Sequence, residues 1–190
     1  MVSSKGWWWI AGGAGLVWLL SRQPATQHVI EAGEDVVTAA ISGWKNVRDG
    51  PLWVPVINGA EAQYGIPPDL LARVAYQESH FRPEIIDGTV ASSAGALGIM
   101  QMLPLYFSSV RVATPFSASD TAAQIQQAAA ELARLYGVFL DWGLALAAYN
   151  DGQNNVSKYL AGTRPLPDGT ITYVTDVLAD VPVPSARFNA

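Results

Sequence analysis

One acidic side chain and three short motifs are the parts of this sequence that could do chemistry. Glu78 follows Val74 by four positions and Leu71 by seven, so on a helix it shares their apolar face. A carboxylate turned inward is costly unless it is paired or protonated. Two readings of it stand side by side. It is an ion-pair partner of Arg73 or Arg82, or it is a carboxylic acid whose pKa is raised by desolvation, able to donate a proton near neutral pH. Downstream comes Ser92-Ser93-Ala94-Gly95-Ala96-Leu97-Gly98-Ile99-Met100-Gln101-Met102-Leu103-Pro104. Gly95 and Gly98 let backbone approach a ligand where a side chain would clash, and Gln101 supplies amide donors and acceptors. A third block, Ala145-Leu146-Ala147-Ala148-Tyr149-Asn150-Asp151-Gly152, offers a ring with a hydroxyl and an amide. The last, Gly169-Thr170-Ile171-Thr172-Tyr173-Val174, adds a second tyrosine.

Taken in order and with their spacing, these blocks resemble the family-1 lytic transglycosylases, the soluble-transglycosylase-like catalytic domains of the lysozyme superfamily. The family pattern is E-S-x-F, then S-x-x-G-A-x-G-x-M-Q-x-x-P, then A-x-A-A-Y-N-x-G, then a late E-T-x-x-Y-V. The likeness covers about residues 52–180, and the glycine-rich block is its most specific part. It implies a mainly α, lysozyme-like (goose-type) helical domain acting on the bond between N-acetylmuramic acid and N-acetylglucosamine in peptidoglycan. Glu78 would be the single catalytic acid. It would protonate the glycosidic oxygen, then take the proton of the sugar's own 6-hydroxyl as a 1,6-anhydro ring closes. The substrate's N-acetyl group would assist, so no second carboxylate and no cofactor or metal are required. The resemblance assigns the substrate groove to Ser92, Gly98, Met100, Gln101, Tyr149, Asn150 and Tyr173. Ser92 is a candidate to orient Glu78, Met100 to pack beneath a sugar ring, and Tyr173 to bring its hydroxyl near Glu78.

Two positions depart from the pattern. Gly169 stands where the family has Glu, which removes a supporting carboxylate. Asp151 stands where a small residue is usual. The favoured reading of Asp151 is a solvated loop charge. As a second carboxylate at the groove it would give a lysozyme-type hydrolase. Asp87 has an adequate explanation in its Ile86-Asp87-Gly88 turn. A third reading keeps the fold but drops the chemistry, leaving a structural or assembly protein that only binds glycan.

The elements that must position these residues are mostly helical. The periodicity predicts helices over Gly59–Tyr64, 68–79 (opened by Pro68 and Asp69), Thr121–Leu140, Val156–Leu160 and Ile171–Leu178, with at most a short hairpin at Ile85–Ala94. Leu144–Tyr149 is apolar all round, as a helix at the centre of a core would be. Ahead of this domain, assigned to 51–190, Lys5 and Arg22 bracket the uncharged GWWWIAGGAGLVWLLS. That run, within an anchor assigned to 1–22, is short for a spanning helix, yet its flanking charges can snorkel and its tryptophans suit an interfacial belt. A cleavable signal peptide is the competing reading, without a convincing cleavage site. From 23 to 50, apolar residues recur at three- and four-residue steps. That pattern predicts an amphipathic helix, either a stalk that self-associates through 24–47 or a helix laid on the following domain.

Composition narrows the rest. The chain has 190 residues, a formal net charge of −5, only 14% charged residues, no cysteine and two isolated histidines, His28 and His80. Thiol chemistry, disulfides and zinc ribbons are excluded, two histidines argue against a multi-histidine metal centre, and the acidic balance argues against nucleic acid. It also argues against long-range attraction to an anionic wall, which makes tethering at a membrane facing peptidoglycan the expected localisation. A viral particle that opens the wall during infection, or an envelope-spanning secretion machine, are the settings this layout fits.

Overall fold

The computed structural model of the chain describes residues 43–106 and 113–188. The expected anchor at 1–22, His28, and most of the 23–50 stretch with its expected self-association lie outside the described residues. Among the described residues no helix is long and apolar enough to cross a membrane.

The fold is helical. The first helix, α1, spans Gly50–Tyr64 and is much longer than the 59–64 segment expected, because it already starts at Gly50 with Pro51 in its first turn. Proline fits the first helical turn, where its missing N–H would be unpaired in any case. Gly50 is needed for close approach: a Cβ there would lie 2.3 Å from the Lys45 carbonyl oxygen and 2.9 Å from the Phe81 ring. Just ahead, a single 3-10 turn, Gly43–Asn46, sends Trp44 into the core against Tyr76, so the packed domain draws on residues before position 51.

Helix α2, Leu70–Ser79, carries Glu78. Asp69 does not open it as a side-chain cap. It stands in the left-handed region (φ 69°) and pairs with Lys45. Glu61 of α1, only 2% exposed, does the capping by accepting from the backbone N–H groups of Asp69 (2.8 Å) and Ala72 (3.0 Å). The start of the Glu78 helix is thereby tied to its neighbour.

No hairpin forms at 85–94. Pro83 opens the short helix α3 (Pro83–Ile86), and the Asp87 carboxylate then takes up the Thr89 N–H and hydroxyl at 2.8 and 2.7 Å, closing a turn. Among the described residues the only β pairing is one antiparallel bridge between Leu97 and Met102. Helix α4, Ala118–Phe139, starts in a capping box in which Ser117 and Asp120 bond each other's backbone N–H.

Helix α5, Trp142–Asp151, is the central element, with every residue from Trp142 to Tyr149 buried. It packs on α4, on α6 (Gln153–Leu160) and on α7 (Asp168–Asp180). Its N-terminus is capped by Asp141, which also accepts from the Arg187 N–H of the returning C-terminal tail. Helix α7 lies against both α5 and α2, and this contact brings the last motif to Glu78.

Candidate active site

Glu78 stands one residue from the end of α2, where His80 and Phe81, both at positive φ (49° and 50°), turn the chain sharply away. Its side chain is partly exposed. Neither cation offered by the sequence reaches it. Arg73 pairs with Asp180, and Arg82 with Glu84. Glu78 Oε1 instead accepts a hydrogen bond from the Tyr173 hydroxyl at 2.9 Å. Desolvation raises the Glu78 carboxyl to about 8, and the Tyr173 bond acts in the opposite direction without offsetting it. The group therefore holds its proton at neutral pH. Desolvation and the nearby Glu78 carboxyl raise the phenol of Tyr173 well above its ordinary range, so it stays a neutral donor.

The glycine-rich block forms a tight loop beside this acid, and its residues divide into an open part and a buried part. Gly95 is exposed, and a Cβ there would meet nothing within 4 Å, so its backbone faces open space. Gly98 has a different job from the one expected. A Cβ on it would fall 2.4 Å from the amide of Gln124, so the glycine makes room for that side chain and not for a sugar. Gln124, fully buried on α4, accepts from the Met100 N–H (3.0 Å) and donates to the Leu97 carbonyl (3.3 Å), which pins the loop to the core.

Met100 is likewise fully buried; its side chain fills the core instead of underlying a sugar ring. Ser92, the candidate to orient Glu78, has its hydroxyl accepting from the Ala96 N–H at 3.0 Å, which closes the loop on itself. Gln101 holds a left-handed backbone (φ 45°) with its amide nitrogen on the Gly98 carbonyl at 3.1 Å. A non-glycine residue in that region stores strain that the surrounding packing must hold.

Tyr149 has 0% exposure, so it cannot serve as a face for a sugar to stack on. It lies behind the acid, where burial and the Glu78 and Glu131 charges push its phenol well up, and its hydroxyl reaches toward the Met100 carbonyl at 3.4 Å. Asn150 is part-exposed, and its Oδ1 accepts from Thr170 at 2.8 Å, leaving its amide nitrogen for a ligand. Asp151 is held by Arg164 through both oxygens and by the Asn155 amide.

Gln124 and Thr170 are the site-shaping residues that sequence reasoning missed. Gln124 carried the same signal as Glu78, a polar side chain on a buried helical face shared with Ala128 and Leu135. Among the described residues no three His, Asp or Glu side chains gather as a metal site would require. The arrangement can deliver a proton from Glu78 to a ligand that reaches its part-exposed carboxyl.

Comparison with known proteins gives matches to a protein family, a phage protein and a solved structure. Residues 55–169, more than half of the chain, match the family described as "Transglycosylase SLT domain". A transglycosylase of Enterobacteria phage PRD1 is 33% identical over 105 residues, which is 55% of this chain and 37% of that protein. The X-ray structure of an inactive glutamate-to-glutamine mutant of the lytic transglycosylase Slt from Pseudomonas aeruginosa is similar at a TM-score of 0.53 and 25% identity. That match covers 66% of this chain and 22% of the Slt chain. The chain thus spans well under half the length of both relatives.

Proposed function

The chain belongs to the transglycosylase SLT domain family, and from that membership we propose that it is a peptidoglycan lytic transglycosylase with Glu78 as its one catalytic acid and base. The observation that carries this reading is the state of Glu78: desolvated, bonded by a neutral phenol, and unpaired with either nearby arginine. A carboxyl raised to about 8 is protonated before reaction and can donate to the glycosidic oxygen between N-acetylmuramic acid and N-acetylglucosamine. Once it is a carboxylate, the Tyr173 hydroxyl stabilises it while it accepts the 6-hydroxyl proton and the 1,6-anhydro ring closes. We assign binding of the substrate's amide groups to Asn150, whose Oδ1 is held by Thr170, and to the open backbone at Gly95. The inactive Glu→Gln form of the Pseudomonas aeruginosa Slt supports a glutamate in this role.

The lysozyme-type alternative needs a second carboxylate free to activate water. Asp151 is tied to Arg164, which favours the transglycosylase outcome. The test is mass spectrometry of digested cell wall. 1,6-Anhydromuropeptides are expected, and reducing ends in their place would reverse the assignment to a hydrolase. With Glu78→Gln, cleavage should fall to background; retained wall-degrading activity would end the enzymatic reading of this site.

The likeness to a phage transglycosylase supports local wall opening during infection as the setting. Tethering through residues 6–21, with the domain facing peptidoglycan, is the arrangement we infer for it. Fractionation of full-length chain and a chain lacking residues 1–22 checks this: only the full-length form should sediment with membranes.

A further inference from the structure

Arg73 is 5% exposed in a chain with few charges, and the proton transfers assigned above leave it unused. It lies five residues before Glu78 on α2, and its guanidinium is engaged on every side. Nε pairs with the Asp180 carboxylate, Nη1 donates to Gln77 Oε1 at 2.7 Å, and Nη2 donates to the Asp176 carbonyl at 3.3 Å. The rings of Tyr76 and Trp44 cover it at 5.2 and 6.0 Å. Asp176 and Asp180 follow Tyr173 by three and seven positions, so all three share one stripe of α7. That stripe therefore touches α2 at two separated points, Arg73 and Glu78. Packing on α5 holds α7 in the core, and these two contacts along its axis set its register on α2.

We propose that Arg73 and Asp180 are positioning residues for the proton transfer: their ion pair sets the register of α7 on α2 that lays the Tyr173 hydroxyl on Glu78. The proposal rests on the reading of Glu78 as the catalytic acid. The other groups acting electrostatically on the Tyr173–Glu78 pair are Tyr149 from α5 and Arg73 itself, whose charge acts on Tyr173. A fork of donors to both a carboxylate and a carbonyl is something lysine does not reproduce.

A double-mutant cycle separates positioning from simple stabilisation. Arg73→Met, Tyr173→Phe and the double variant are compared for kcat, KM and Tm on purified glycan strands, with the Glu78 carboxyl titrated by NMR. Expected for Arg73→Met is a loss of about 5–20-fold in kcat, KM within about twofold, and a Glu78 titration moved upward as in Tyr173→Phe. In the Tyr173→Phe background the same substitution should cost less than about twofold. Arg73→Lys should recover only part of the loss. Equal factors in both backgrounds, or a lowered Tm with kcat per folded molecule unchanged, would overturn the proposal. Should Arg73→Met fail to fold, Asp180→Asn takes its place with the same expected coupling to Tyr173→Phe. An inactive wild type whose Glu78 titration still couples to Arg73 would remove the enzymatic reading and leave the positioning role standing.

Discussion

The Tyr173 hydroxyl donates to Glu78 Oε1 across the contact between α7 and α2, and the donor is a phenol that burial keeps neutral. A cation in that place would have held Glu78 ionised and useless as an acid. A phenol stabilises the carboxylate by a single hydrogen bond without removing the proton at neutral pH, and so suits a residue that must serve first as acid and then as base. Tyr173→Phe should therefore weaken the second half of the reaction more than the first. We expect a fall in kcat of about 10-fold, on the scale of one hydrogen bond to a charged group. The alkaline limb of the kcat–pH profile should also move upward, since the bond that lowers the Glu78 pKa is gone. A limb that moves downward would contradict the assignment.

Glu78 also bears on stability. Its folded-state carboxyl is raised from 4.5 to about 8, so between these values the folded protein holds a proton that the unfolded chain has released. Stability must then decline as pH rises through that window and level off above it. Glu78→Gln keeps the shape and removes the cost. It should be more stable than the wild type at pH 8 by about 1–2 kcal/mol, roughly 2–8 °C in Tm, with the gap closing toward pH 4. Thermal melts of both proteins at the two pH values check the sign.

Glu78 and Tyr173 could be picked out in the sequence because each stands out against its own helix: an acid on an apolar face, and a tyrosine in a partly kept motif. The all-apolar Leu144–Tyr149 run was legible for a similar reason, since a helix without a polar face has nowhere to sit but the core. Other roles depended on partners far away in the chain. That a small residue is needed at position 98 is visible; that Gln124 is what needs the room is a fact of packing between the loop and α4. Met100 and Tyr149 sit in motif positions that suggest a groove, yet both side chains are fully buried in the core. The start of α1 and the cap of α2 were missed for one reason. Local breaker and capping rules could not see that Gly50 packs under Phe81, or that Glu61 reaches over from the preceding helix.

The pairing of Asp151 with Arg164 makes a prediction about products. A carboxylate held by a guanidinium and by Asn155 is a poor base for water. Asp151→Asn should leave the fraction of 1,6-anhydro ends unchanged and reduce the cleavage rate by no more than about threefold, through loosening of the 161–167 loop. Digestion in 18O-water distinguishes the routes. If wild-type products carry 18O at the new reducing end and the Asn variant's do not, Asp151 is activating water and the single-acid scheme is wrong.

Gly98 is the position where a one-carbon change should reach the site through packing alone. An alanine there faces two penalties: a left-handed backbone (φ 80°), and a Cβ 2.4 Å from the Gln124 amide. Gln124 cannot retreat cheaply, because its amide is fully buried and its two bonds to Met100 and Leu97 would both be lost. Unmade hydrogen bonds of buried groups cost about 1–3 kcal/mol, and the strained φ adds about 1 kcal/mol. We therefore expect Gly98→Ala to destabilise the domain by about 2–4 kcal/mol and to lower kcat in the fraction that folds, as Gln101 loses the carbonyl its amide rests on. Gln124→Ala should relieve the clash. The pair Gly98→Ala/Gln124→Ala is expected to be less destabilised than the sum of the single variants, which denaturant melts of the four proteins measure directly. A strictly additive result would mean that Gly98 is required for its backbone conformation alone and that Gln124 does not hold the loop.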